Sequence, residues 1–302
     1  MNFEFQNPTR LHFGAGVLEK LGKVATAYGK KALIITGGGS VKRNGTFDRA
    51  VSSLKASGIA FAECDGVEPN PRITSVRRGS KIARDEGCDV IIALGGGSTM
   101  DASKVIAAVA LYKGDPWDMI GHGQDNWVIP TQALPIITVP TLAATGSEMN
   151  CGAVISNDET KIKSFVQAGT NPGFPVHMIE HALSAHHDIT HGAGLAIVNP
   201  AWMRFAVKSS PAKFVQFAQR VFGLQAKGPN DFDCALKGIS RFEEFLKSLD
   251  CPTRLSELGI SDELFSHYAK DAVLVARDEN GNLPGRPAMT EADIISVLKA
   301  AL

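Results

Sequence analysis

The histidines of this chain are concentrated where they could do chemistry. Five of the eight lie between Phe174 and His191, in FPVHMIEHALSAHHDITH: His177, His181, His186, His187 and His191. His177 and His181 are four apart, so a helix sets them on one face, one turn above the other. Glu180 and Asp188 lie beside them. Neutral imidazole suits zinc, iron and nickel, and imidazoles recurring at helical spacing could therefore hold a divalent metal. A lone histidine is more often a surface or cap residue. This density, followed by the glycine-bearing turn His191-Gly192-Ala193-Gly194, favours a metal or catalytic role.

Two glycine runs, Gly37-Gly38-Gly39-Ser40 and Gly95-Gly96-Gly97-Ser98, suggest phosphate chemistry. Each follows a short apolar run and precedes a helical pattern. At such a junction, backbone N–H groups and a helix N-terminus favour an anion. Neither run is G-x-G-x-x-G and no G-K-[ST] follows, so the usual dinucleotide fingerprint and the P-loop are both absent. One such run is weak evidence, because any tight strand-to-helix turn needs glycine; two are better. Selection of NAD calls for an acidic side chain at the ribose hydroxyls. The segment Thr36 to Arg43 offers no carboxylate but does offer Ser40, Lys42 and Arg43. That environment favours the 2′-phosphate of NADP. Asp101 and Lys104, three apart after the second run, fall on one side of the next helix.

The elements that must position these residues follow from periodicity. Continuous apolar runs at 31–36, 89–94 and 134–139 read as buried parallel strands, with a further strand at 59–64. Helical patterns fall at 17–28, 45–57, 73–86 and 100–111. Strands alternating with helices of this length predict βαβ units around a parallel sheet. Asn7 to Gly16 reads as an edge strand ending in a glycine turn, and 152–156 with 161–166 as a small hairpin. Beyond Phe174 the pattern is helical throughout: 174–186, 192–207, 211–222, 230–249, 261–275 and 290–301. Thr290 and Asp293 resemble a capping box before the last helix.

The chain has 302 residues, 31 basic and 31 acidic side chains, and five cysteines. Zero net charge without a basic run argues against nucleic acid as a partner. The cysteines are widely spaced with no C-x-x-C pair, which indicates neither a disulfide framework nor a thiolate zinc site. The first residues carry no basic n-region or apolar h-region, and the apolar runs are too short to span a bilayer. The expectation is a cytoplasmic protein without a membrane partner.

Taken together, GGGSxxDxxK at 95–104, Pro140-Thr141 with Thr145-Gly146-Ser147-Glu148, and the histidine stretch resemble the iron-containing (group III) alcohol dehydrogenases. The likeness is greatest to the NADP-dependent butanol dehydrogenase and aldehyde reductase type, and it covers nearly the whole chain. It implies an α/β dinucleotide-binding domain with a parallel sheet, here 1–166, and an all-α metal-binding domain, here 167–302. This is a dehydroquinate synthase-like architecture. It implies NADP and a divalent metal, iron or zinc or nickel in its place, that polarises a small aldehyde for hydride transfer. By motif, His177 and His191 match metal ligands, and His181 matches a non-ligand histidine near nicotinamide and substrate. Gly95, Gly96, Gly97, Ser98 and Asp101 match the pyrophosphate turn. Thr141, Leu142 and Thr145 match the loop beside the nicotinamide. Gly38, Gly39, Ser40 and Lys42 sit where the 2′-phosphate is accepted.

One departure stands against these matches. The family's other two metal ligands come from an Asp-x-x-x-His pair on an earlier helix, and no such pair lies between Lys161 and His177. Several helices expected there are missing, so the helical domain is shortened at its start. Replacement ligands would have to be recruited, with Asp188, His187 or Glu180 nearest, although Glu180 neighbours His181 and should project differently around a helix. Apolar surface left by the missing helices favours self-association, and a homodimer is expected. Two other functions fit parts of the pattern: a non-catalytic NADP-binding remnant, and a non-redox lyase of the dehydroquinate synthase type. The lyase needs a basic cluster for an acidic substrate, whereas Phe174, Val176, Met178 and Ile179 around His177 are apolar.

Overall fold

A computed structural model of the chain describes residues 9–121, 127–166 and 175–302. Among the described residues, six strands run Lys31–Thr36 (β1), Ala60–Cys64 (β2), Val90–Gly95 (β3), Ile136–Pro140 (β4), Ala153–Asn157 (β5) and Ile162–Val166 (β6). The first four form a parallel sheet in the order β2-β1-β3-β4, and β5 and β6 form a separate two-stranded sheet. Helices within this part are Leu21–Ala25 (α1), Ser40–Arg43 (α2), Thr46–Ala56 (α3), Ile73–Asp85 (α4) and Gly97–Val109 (α5).

The alternation inside β1 explains the layering. Ala32 and Ile34 join Ala50 and Leu54 of α3 in one core. Leu33 and Ile35 join Val76 and Ala83 of α4, and Val105 and Ile106 of α5, in another. Both faces of the sheet are therefore covered, which is why its central strands read as continuous apolar runs. Chain order reverses between β1 and β3. That is the switch point of an open α/β sheet, where ligands bind beyond the strand ends.

The edge strand expected at Asn7 to Gly16 is not formed in its described part, 9–16. Gly14 (φ 134°) and Gly16 (φ 74°) turn the backbone out of the extended region, and Phe13 is 91 % exposed. The helix expected from Met100 begins earlier, at Gly97, inside the glycine run.

Six further helices follow: Pro175–His187 (α6), His191–Ala206 (α7), Pro211–Phe222 (α8), Phe232–Ser248 (α9), Phe265–Val275 (α10) and Glu291–Ala300 (α11). Val207, Val215, Ala235 and Ile239 make a core among α7, α8 and α9. Proline opens α8 and Gly223 closes it in the left-handed region, the asymmetry expected of helix ends. Thr290 and Asp293 do form a capping box on α11. The expected helix start at Phe174 lies outside the described residues. The chain divides into two compact units, Met1–Thr160 with Ser164–Thr170, and Lys161–Lys163 with Asn171–Leu302. Among the described residues, no helix is long and apolar enough to cross a membrane.

Candidate functional site

The first unit carries both glycine runs. Thr36 of β1 pairs with Leu94 of β3, so the two glycine runs leave adjacent strands nearly level. Gly95 pairs with Pro140, and Thr141 N–H donates to the Gly95 carbonyl (3.0 Å). The loop after β4 thus lies against the second glycine turn, with Thr141, Leu142 and Thr145 exposed. Glycine is required at 95, because a Cβ there would stand 2.5 Å from Thr99 Oγ1. At Gly39 the backbone is left-handed (φ 88°), which turns the chain from β1 into α2. Because α5 starts at Gly97, the amides of Gly97, Ser98 and Thr99 belong to its first turn and have no partner within the helix. Amides of this kind at a sheet's switch point favour an anion.

Asp101 and Lys104 serve a neighbouring purpose. Ser147 Oγ donates to Asp101 Oδ1 (2.6 Å) and Val154 N–H to Asp101 Oδ2 (3.0 Å). Lys104 Nζ donates to Ser147 Oγ (2.7 Å), Asn150 Oδ1 (3.1 Å) and the Gly152 carbonyl (2.7 Å). Burial lowers the Lys104 pKa, against the pull of Asp101. The pair anchors the 147–154 segment to α5, so the Asp101 carboxylate is held by the protein itself.

Lys42 is placed differently from expectation. Its ammonium pairs with Glu63 and with Asp65 (3.1 Å), which raise its pKa, Glu63 most. Sequence reasoning missed these two carboxylates because they sit at the end of β2, distant in sequence but beside β1. Arg43 Nη1 instead reaches back to the Gly38 carbonyl (3.3 Å), along the turn. Gly38 and Ser40 are exposed there, and a Cβ on Gly38 would meet nothing within 4 Å.

The second unit carries the histidines, and the five divide. His186 Nε2 pairs with Asp271 (2.9 Å) and His187 Nε2 with the Tyr268 hydroxyl (2.6 Å), both tying α6 to α10. His177, His181 and His191 come together, with ring centroids 5.3 Å (177–191), 5.7 Å (181–191) and 6.5 Å (177–181) apart. The first two stand on α6 as the spacing predicts, and His191 opens α7. Glu180, fully buried, belongs to the same group, which corrects the expectation that it points elsewhere. Its carboxylate accepts from Ser184 Oγ and contacts His191 Nδ1, and Lys163 Nζ lies 3.7 Å away. One ligand atom each from Glu180, His181 and His191 lie within 4.8 Å of one another.

Gly194 makes this approach possible, since a Cβ there would stand 2.7 Å from Glu180 Cγ. Burial pushes the His181 pKa well below the usual imidazole value, helped by the Lys163 charge, and burial also lowers that of His177. Neutral imidazoles are the form a metal requires. His181 Nδ1 is buried with no hydrogen-bond partner. A donor set of two imidazoles and a carboxylate, with one imidazole nitrogen orphaned, fits a divalent transition metal.

Comparison with known proteins agrees with both halves. Residues 8–177 match the family profile described as iron-containing alcohol dehydrogenase, and 164–302 match that of the Fe-containing alcohol dehydrogenase family, C-terminal. A probable NADH-dependent butanol dehydrogenase of Bacillus subtilis is 32 % identical over 394 residues, covering 100 % of both chains. That alignment is longer than the 302 residues here, so part of the relative has no counterpart in this chain. The NADPH-dependent aldehyde reductase of Escherichia coli is 28 % identical over 356 residues, covering 86 % of this chain and 89 % of that one. The crystal structure of the NADH-dependent butanol dehydrogenase A of Thermotoga maritima superposes with a TM-score of 0.91 at 31 % identity, covering 99 % of this chain and 98 % of that one.

Proposed function

The chain belongs to the iron-containing alcohol dehydrogenase family, and we propose that it interconverts a small aldehyde and its alcohol using NADP(H) and a divalent metal. The observation that carries the redox reading is the pair of glycine turns on adjacent strands at the switch point, with the α5 N-terminus and the Thr141–Thr145 loop beside them. A dinucleotide diphosphate suits the Gly95 to Ser98 amides. Relatives are named for NADH as well as NADPH, so the nucleotide preference rests on the first turn. That turn offers open amides, the Ser40 hydroxyl and the Arg43 guanidinium to a 2′-phosphate and places no carboxylate within itself. Glu63 and Asp65 are spent on Lys42.

In the helical unit, His177 and His191 are the residues the family resemblance assigns to the metal, and His181 lies against both. A cation held there would supply Lewis acidity to a carbonyl oxygen. His181, buried and kept neutral, is suited to hold or pass a proton beside it.

The test is turnover of butanal by the purified chain, stripped with chelator and reloaded with Fe(II) or Zn(II). The expected result is metal-dependent oxidation of NADPH, faster than of NADH. Nucleotide binding without metal-dependent turnover would remove the enzymatic reading and leave a nucleotide-binding chain.

A further inference from the structure

We propose that Glu180 is a positioning residue: it accepts a hydrogen bond from His191 Nδ1 and so fixes that imidazole in the tautomer whose Nε2 lone pair is free. The proposal deepens the metal-dependent reading above and rests on it for its consequence, not for its geometry. Glu180 could serve the histidines in two ways, as a donor itself or as the group that orients a donor. Its surroundings favour the second. The side chain is fully buried, and both of its oxygens are engaged. Oε1 accepts from the Ser184 hydroxyl one turn on, and Oε2 meets His191 Nδ1, with the Lys163 ammonium 3.7 Å away. A carboxylate faced by an ammonium and a hydroxyl donor is the acceptor in each contact, so the proton between Glu180 and His191 belongs to Nδ1. In a neutral imidazole that leaves Nε2 unprotonated.

The carboxylate is held for this task from several sides. Ser184 Oγ also reaches the Ile189 carbonyl (3.4 Å), in the connection between α6 and α7. Gly194, in the first turn of α7, leaves the room that Glu180 Cγ fills. A fully buried carboxylate needs a compensating charge, and Lys163 supplies it from β6, in the piece of chain that clusters with the helical unit. The hold therefore runs from the middle of α6 to the first residue of α7, which no spacing within α6 could reveal. A carboxylate behind a ligating histidine orients the ring and raises its basicity. Loss of such a partner weakens metal binding by about ten- to a hundredfold.

The experiment is long-range proton–nitrogen NMR correlation of the metal-free chain, labelled at histidine, at a pH about two units above the ordinary imidazole value. The His191 signals are assigned by their loss in H191N. Wild type is expected to show His191 protonated at Nδ1. Because removing the Glu180 charge alone leaves Lys163 buried without its carboxylate, both variants carry K163M. In K163M/E180Q the amide oxygen still accepts from Nδ1 while its NH2 donates to Ser184 Oγ, so the tautomer should persist. In K163M/E180L it should revert to Nε2–H, with the signals of His186 and His187, which are tied to α10, unchanged as the check on folding. Calorimetric Zn(II) titration reads the consequence: K163M/E180L should bind about ten- to a hundredfold more weakly than K163M/E180Q. His191 protonated at Nε2 in wild type overturns the proposal, and wild type alone decides where a variant fails to fold. A tautomer unmoved in K163M/E180L, or equal Zn(II) affinity in the two variants, also overturns it and leaves the metal-dependent reading intact. Nδ1–H in wild type with no Zn(II) bound removes the metal-dependent reading and supports the hold on His191.

Discussion

Lys42 and Arg43 are adjacent cations at the first glycine turn, but only one is available to a ligand. The Lys42 ammonium is shared between Glu63 and Asp65, whereas the Arg43 guanidinium lies on the Gly38 carbonyl at the turn. A charge-assisted hydrogen bond contributes about 1.5–3 kcal/mol, or roughly tenfold in affinity at its lower end. Arg43→Ala should therefore raise KM for NADPH about tenfold and leave KM for NADH nearly unchanged. Lys42→Ala should shift the ratio far less. Steady-state kinetics with both nucleotides decides it, and a loss of NADPH preference confined to the Lys42 variant would reverse the assignment. Sequence identified both cations and the family resemblance singled out Lys42, because the carboxylates that engage it arrive only through the β2–β1 pairing. Lys163 was invisible for a similar reason: nothing local distinguishes a strand lysine that solvates itself from one closing a buried ion pair.

Helix and strand positions were legible because each element is covered in the way its pattern implies. Sheet strands covered on both faces show unbroken apolar runs, and α6 shows its two histidines four apart. The failures lie at ends, where glycine decides. Residues 9–13 form no strand ahead of the turn at Gly14 and Gly16, and α5 starts inside the second glycine run rather than after it. Asp101 shows what an element needs beyond its own pattern. Its carboxylate takes the Ser147 hydroxyl and the Val154 amide, pinning the segment before β5 onto α5. Asp101→Ala leaves a partly buried backbone N–H without its acceptor and takes from Lys104 its nearby anion, 3.9 Å away. The cost should be about 1–3 kcal/mol in urea unfolding. A change below about 0.5 kcal/mol, the usual effect of a surface substitution, would show that the network positions nothing.

At the scale of the whole molecule, the two chemistries fall in separate units of the chain. Both glycine turns, Asp101, Lys104 and the Thr141–Thr145 loop lie within Met1–Thr160, while Lys163, His177, Glu180, His181 and His191 all belong to the other unit. The sequence pattern predicts an α/β half to 166 and a helical half after it, whereas Lys163 sits before the helices in sequence and clusters with them in space. A ligand stabilises the part of a protein whose folding creates its site, by about 2.7 kcal/mol at a hundred times its Kd. Amides that exchange through opening of that part should slow by about a hundredfold. Zn(II) should therefore protect α6 and α7, where its donors stand, and NADPH should protect β1, β3 and the first turn of α5. Peptide-level hydrogen exchange on the metal-free chain, with each ligand added alone, reads both effects in one sample. Protection of α5 and β3 by Zn(II), with α6 and α7 unchanged, would place the metal among the nucleotide-binding residues and remove the histidine seat. Protection of α6 and α7 that disappears in H177A and in H191A would locate the cation at those two histidines.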